Sequence, residues 1–342
     1  MSDLDWENLS QQAIAAAGVV YFLALMAHLV EWSSLRKVPV ASRAERRAER
    51  SAAAPGSGTL VADPIVADPV ITETGGPREP AERIAMFGRL GLLLTGLACA
   101  LQFVALVGRG MAADPNRVPW GNMYEFVLAG TWVVVVMYLA LYRRFRLSWL
   151  GPLVTAFVVT LLMVAVIWLY GPVSPLREAL NSPWLVIHVI SAIVATAAFS
   201  LGGIVSALYL IKERSKNPDR GYIARLPEPK TLDRIAYRLH AFGFPVWTFA
   251  VLITGPIWAH QAWSSYWNWD PKEVWAFITW VVYAGYLHAR ATAGWRGRKA
   301  AWLALVGVAT LWFNFIGINY FSTTSMHSYA GSEVGAVSTD ST

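Results

Sequence analysis

Apolar positions in this chain fall into long unbroken runs, not the alternating or three-to-four spacing of a soluble fold. Eight runs stand out, at roughly 11–32, 84–107, 123–142, 148–170, 184–211, 241–260, 273–291 and 300–320. Each matches the length of about 20 residues that crosses a hydrocarbon core as a helix. The pattern predicts an all-α, polytopic membrane protein of about eight transmembrane helices. Residues 1–38 form the first spanning unit, and 84–330 the main membrane domain. Between them, 39–83 is rich in Ala, Pro, Arg and Glu and contains the repeat VADPIVADP, which reads as a disordered cytoplasmic linker. The Ser- and Thr-containing stretch 331–342 reads as a flexible tail.

Composition agrees with a lipid-embedded chain. Hydrophobic residues make up 56% and charged residues 15%, and the mean hydropathy is +0.42. The single cysteine, Cys99, lies in an apolar run. That excludes a disulfide framework, a CxxC metal site and a CxxCH attachment point. The amino terminus opens on Asp3, Asp5 and Glu7, without the basic start and small-residue cleavage site of a signal peptide.

The net charge of +6 suggests nucleic acid only until its distribution is read. The connections 33–83, 143–147, 212–240 and 289–299 hold 23 Lys and Arg. The termini and the alternate connections hold only Arg109, Arg117, Arg177 and Lys272. The positive-inside rule therefore puts both termini outside and the basic loops in the cytoplasm, with no nucleic-acid partner.

Topology then sorts the histidines. His188, His260 and His327 fall toward the outer face, and His28, His240 and His288 toward the inner one. Ionisable groups within a bilayer are costly and point to function, and a pair of imidazoles is enough to hold an iron macrocycle. A histidine near a helix end also serves as an interfacial hydrogen bonder. That plainer role is preferred for His240 and His260 and stays open for His28.

Six of the 17 tryptophans lie between Trp258 and Trp280, around WSSYWNWDPKEVWAF at 263–277. An aromatic belt accounts for one or two tryptophans per helix end. It does not account for Trp263, Trp267 and Trp269 in a single loop. Asp270, Pro271 and Glu273 carry the marks of a capped helix start, with proline at the first helical position. Trp263 and Trp267 share a face if that loop is helical.

The string WSSYWNWDPKEVWAFITWVVYAGYLHAR resembles the WWD signature of haem-handling proteins. It is closest to the CcsA (ResC) branch of system II cytochrome c biogenesis, named CcsB in some bacteria. NMYEF at 122–126, NSPWLVIHV at 181–189, GFPVWTFAVLITGPIWA at 243–259 and SMHSY at 325–329 occur in the expected order. The resemblance covers about 84–330, with the WWD segment, 258–280, on the outer face. Ser264 and Ser265 depart from the glycine expected near the first tryptophan.

The resemblance implies a bis-histidine haem b site on the outer face with His188 and His327 as iron ligands. It implies a second, inner haem at His288, for whose other ligand a histidine of a ResB-like subunit is one candidate. Apart from the resemblance, the similar depth of the first and seventh spans makes His28 the candidate within this chain. Trp263, Trp267, Trp269 and Trp275 are expected at the porphyrin face or edge, where an indole N–H can hold a propionate. Lys272, Arg109, Arg117 and Arg177 are candidate propionate partners. Asp270 belongs to the same segment, as helix cap or haem contact. The implied activity is covalent attachment of haem to CxxCH of an apocytochrome c at the cell membrane, as part of a holocytochrome c synthase. The implied partners are a ResB-like membrane subunit, the apocytochrome, a thiol reductant and the lipid bilayer. A haem transporter or chaperone without synthase activity uses the same ligands. A structural assembly factor needs none of them.

Overall fold

The computed structural model describes residues 1–35, 78–173, 182–217, 221–322 and 325–326. His327, Arg177, the repeat in the expected linker and the tail 331–342 lie outside these residues. Among the described residues all regular structure is helical, as expected for a polytopic all-α membrane protein. The helices are α1 (Asp3–Leu35), α2 (Arg78–Met111), α3 (Met123–Phe145), α4 (Gly151–Trp168), α5 (Pro183–Arg214), α6 (Pro229–Thr248), α7 (Gly255–Trp263), α8 (Pro271–Ala291), α9 (Arg298–Trp312) and α10 (Ile318–Phe321).

Two π-turns interrupt the pattern. Phe249–Thr254 joins α6 to α7, and Phe313–Gly317 joins α9 to α10. The sixth expected span, 241–260, is thereby one continuous helical rod, Pro229–Trp263. At 1.5 Å per residue it is about 52 Å long, more than the roughly 30 Å of a hydrocarbon core requires.

Among the described residues seven helices are long and apolar enough to cross a membrane, against about eight expected. The expected span outside these seven is 273–291, the seventh run, which is α8. Its 21 residues reach about 31 Å, but Trp275, Trp280, Tyr283, Tyr286, His288 and Arg290 dilute its apolar character.

Close helix approach is built on small residues, which substitute for hydrophobic driving force within lipid. Ala17 and Ala24 of α1 and Ala98 and Ala105 of α2 are fully buried. A Cβ on Gly108 would meet the Trp6 carbonyl at 3.0 Å. Tyr21 donates to Gln102 at 2.8 Å, and Gln102 donates to the Leu128 carbonyl and Thr131 on α3, both at 2.9 Å. Deeper in the bundle, a Cβ on Gly203 of α5 would strike Val308 of α9 at 2.7 Å, and one on Gly243 of α6 would strike Phe199 at 2.8 Å.

The connections sort to two ends. At the basic end Arg290 forks onto Asp233 at 2.8 and 3.0 Å, Gly297 N–H joins the same carboxylate, and Arg298 reaches Glu213 at 3.1 Å. At the tryptophan end Arg109 meets Glu7 and Glu125, Ser182 donates to Gln261, and Lys272 donates to Asn319. The loop residues join across each end as the alternating topology requires.

Candidate functional site

A cavity of about 180 Å³ opens at the tryptophan end. Its walls come from the start of α3, the first half of α5, the α6–α7 rod, the tryptophan loop, the start of α8 and the π-turn after α9. Both π-turns contribute, through Val251 on one side and Asn314 and Phe315 on the other. Such turns are rare and concentrate at functional sites.

His188 lies in this wall. Ser182 caps α5 by accepting from Trp184 N–H, and Pro183 fills the first turn. That start sets His188 beside the rod. Its Nδ1 lies 2.9 Å from the Ala250 carbonyl. A carbonyl only accepts, so Nδ1 carries the proton and Nε2 keeps the lone pair that a metal uses. Metal-bound histidines are oriented by this kind of backbone contact. The Ala250 carbonyl also accepts from Gly255 N–H and, at 3.1 Å, from the Thr254 hydroxyl. Trp258, 2% exposed, lies nearly parallel to the imidazole at 14°, with ring centroids 6.1 Å apart.

The tryptophan loop owes its course to two left-handed residues, Ser264 (φ 57°) and Trp269 (φ 55°). Ser264 ends α7, taking the place where a glycine is the usual choice. The loop is not helical, so Trp263 and Trp267 do not share a face. Of the four tryptophans expected at the site, Trp267 lines the cavity, and its indole N–H is buried without an acceptor. Trp263 packs edge-on against Trp258 at 4.8 Å. Trp269 is 71% exposed. Trp275 leans on Phe313, 4.2 Å away, and braces the second π-turn. Trp120, Trp247 and Trp258 supply the other indoles of the wall. Trp247 and Trp258 belong to the quoted GFPVWTFAVLITGPIWA string, but their inward aim depends on the π-turn between them.

Asp270 is a cap and a latch. One carboxylate oxygen accepts from Lys272 N–H at 2.9 Å and from the Ser325 hydroxyl at 2.8 Å, and the other from Met326 N–H at 2.6 Å. Glu273 completes the capping box. The carboxylate is 5% exposed and does not line the cavity. It holds the two residues that immediately precede His327 in sequence.

Lys272 lies just ahead of the apolar stretch 273–291, and it lines the cavity. Burial pulls its ammonium down to about 8, while the Asp270 charge acts in the opposite direction. Arg109 and Arg117 are committed elsewhere. Both bind Glu125, which is fully buried, at 2.9 and 2.8 Å. Glu125 also accepts from Gly121 N–H at 2.7 Å, and Arg109 donates to the Gly171 carbonyl. This network sets the loop that carries Trp120 and Asn122 to the cavity.

The histidines expected toward the inner side lie in different surroundings. His28 is 1% exposed and fills a slot between helices: a Cβ on Gly91 or Gly151 would sit 2.6–2.7 Å from its ring. Its Nδ1 faces Glu31 at 3.5 Å. His288 faces outward from α8, one turn from Gly285, where a Cβ would meet open space. The expected pairing of His28 with His288 rests on a shared depth along two helices; α1, which carries His28, packs on α2 and α4, while α8, which carries His288, packs on α6 and α9. His240 is enclosed by Phe199, Tyr283 and Tyr286. His260 stacks on Tyr266 at 4.3 Å on the surface.

Asn314 and Glu125 were not singled out in the sequence. Their signal was present: a buried amide in the last apolar run, and a lone acid within the first turn of the third.

A family model described as cytochrome c assembly protein matches residues 120–326, which include every residue lining the cavity. The chain is 38% identical over 223 residues to the cytochrome c biogenesis protein CcsA of Chlamydomonas reinhardtii, covering 63% of this chain and 61% of that protein. It is 31% identical over 273 residues to CcsA of Mesostigma viride, covering 72% and 87% respectively. With CcsA of Microcystis aeruginosa the figures are 32% over 288 residues, 70% and 87%. The chain thus spans less than two thirds of the Chlamydomonas protein and most of the other two. Among solved structures, a cytochrome c heme lyase CcmF shares the fold, with a TM-score of 0.57 at 14% identity over 93% of this chain and 49% of that one. By the extent of the family match and the identity to these relatives, this chain belongs to the cytochrome c assembly protein family.

Proposed function

We propose that this chain presents haem b at its outer face for covalent attachment to the CxxCH motif of an apocytochrome c. The observation that carries the reading is His188: a tautomer fixed by the Ala250 carbonyl, in a cavity walled by indoles. His327, tied in sequence to the segment that Asp270 holds, is the second axial ligand. The cavity is smaller than the roughly 300–1,000 Å³ of an ordinary ligand pocket. It takes part of a macrocycle and leaves the remainder outside, which suits a cargo whose vinyl edge has to meet incoming thiols.

Attachment adds each cysteine S–H across one vinyl group. Sulfur bonds the carbon next to the ring and hydrogen goes to the terminal carbon, so no atom and no electron is lost. The protein supplies orientation and ligation, and the haem supplies the reactive groups. The thiols have to arrive reduced. Cys99 is buried and lacks a second thiol, so a separate reductant serves that need.

The outward aim of His288 supports an inner haem whose second ligand comes from a ResB-like membrane subunit. The charge distribution supports a cell-membrane topology with the tryptophan end extracytoplasmic.

The test is reconstitution of the purified chain and its ResB-like partner with haem, a thiol reductant and a CxxCH peptide, read by mass spectrometry. The expected product is the peptide plus haem with no mass lost. Haem bound without any thioether adduct would favour a carrier without synthase activity. Absence of haem altogether would favour a structural assembly factor.

A further inference from the structure

The cavity contains polar groups that iron ligation does not use. Trp267 presents a buried indole N–H that has no acceptor. Asn314, on the π-turn after α9, is 8% exposed, and its side-chain oxygen has no hydrogen-bond partner. Buried polar atoms are nearly always paired, so two orphans in the wall of one cavity call for an occupant. The π-turn is what turns Asn314 inward, on a run that is otherwise apolar.

Charge points to what the occupant carries. Lys272 is the one lysine or arginine among the described residues lining the cavity. It shares the wall with Asn314: its Nζ donates to Asn319 at 2.8 Å, and Asn319 donates to the carbonyl of Phe315. Glu273, the acid in the lining, is occupied by the Asn268 and Asp270 N–H groups at 2.9 and 3.2 Å. Arg109 and Arg117 are bound to Glu125, which removes them from the set of candidate anion partners.

We infer that Lys272, Trp267 and Asn314 form a carboxylate subsite that takes a propionate of the tetrapyrrole. Trp267 donates its indole proton, Lys272 an ammonium proton, and Asn314 its amide NH₂ after a half-turn that exchanges oxygen and nitrogen, two orientations of similar shape. A charge-assisted contact of this kind would also fix how the macrocycle is turned about His188. The subsite rests on the haem reading above and adds to it the handle by which the ligand is oriented.

The test compares two ligands on the full-length chain in detergent: zinc protoporphyrin IX, with both propionates, and its dimethyl ester. Binding is followed by quenching of tryptophan fluorescence. The acid is expected to bind about tenfold or more tightly than the ester. Trp267→Phe, Lys272→Met and Asn314→Leu should each narrow that gap by weakening the acid more than the ester. Asn314→Asp, nearly isosteric, keeps the test open if the leucine variant does not fold, and should weaken the acid more than the ester. Equal binding of acid and ester by the unmodified chain overturns the subsite and leaves the haem reading standing. Binding of neither overturns both.

Discussion

His188 directs its Nδ1 at the carbonyl of Ala250, 2.9 Å away, and the two residues meet because the rod carrying Ala250 widens into a π-turn. In that turn the Ala250 carbonyl takes Gly255 N–H, five residues on, and accepts the imidazole as well. A Cβ on Gly255 would come within 3.2–3.3 Å of the His188 ring, tighter than side chains normally pack. Gly255→Ala is therefore expected to rotate or displace the imidazole. Loss of an orienting contact typically costs about 10–100-fold in metal affinity. The measurement is haem retained per chain after purification, with the haem midpoint potential as a second readout. Retention and potential unchanged from the parent would contradict the role given to this contact.

Asp270 separates into two functions by substitution. Asn caps helices nearly as well as Asp, whereas Ala loses about 0.5–2 kcal/mol of cap. Asp270→Asn should keep α8 intact, and Asp270→Ala should lower the Tm. Both should loosen the hold on Ser325 and Met326. Limited proteolysis after Phe321 is expected to accelerate in both variants, more in the alanine form. Equal cleavage in parent and variants would rule out the latch.

Glu125 is fully buried between Arg109 and Arg117. Removing one partner of such a group leaves uncompensated charge in a dry site, at a cost of about 3–5 kcal/mol. Glu125→Ala should therefore lower thermal stability sharply, and more than Lys272→Met does. Arg117 sits nearer the surface, so Arg117→Ala should cost less. Similar midpoints for all three in detergent melts would mean that the network is not holding the loop.

His28 belongs to packing. Its ring fills the space left by Gly91 and Gly151, and truncation of a buried ring leaves a cavity. His28→Ala should lose on the order of 2–4 kcal/mol of stability while the chain keeps its haem content and absorption spectrum. Loss of a bis-imidazole spectrum on this substitution would instead make His28 an iron ligand.

The helical architecture was readable because a spanning helix is a local property: about 20 apolar residues announce it wherever they occur. Only α8 gave a weaker signal, since its face toward α6 and α9 is lined with tyrosines. The tryptophan segment was also readable as a site, through its density and its capped end. Which indoles face inward was not. That depends on the left-handed backbone at Ser264 and Trp269, and on π-turns, which leave no mark in a run of apolar letters. The same limit applies to His28 and His288. Sequence gives depth along a helix, whereas proximity depends on which helices pack together. Asn314 shows the opposite case, where one polar letter in an apolar run carried information that the periodicity did not use.

The central claim is that His188 holds haem iron in the outer cavity. Its most direct test is the resonance Raman spectrum and haem content of the chain purified with its ResB-like partner, comparing the parent with His188→Ala and His288→Ala. The account predicts that His188→Ala loses the outer, six-coordinate haem and keeps the inner one, while His288→Ala does the reverse. Unchanged haem content and coordination in His188→Ala would contradict it.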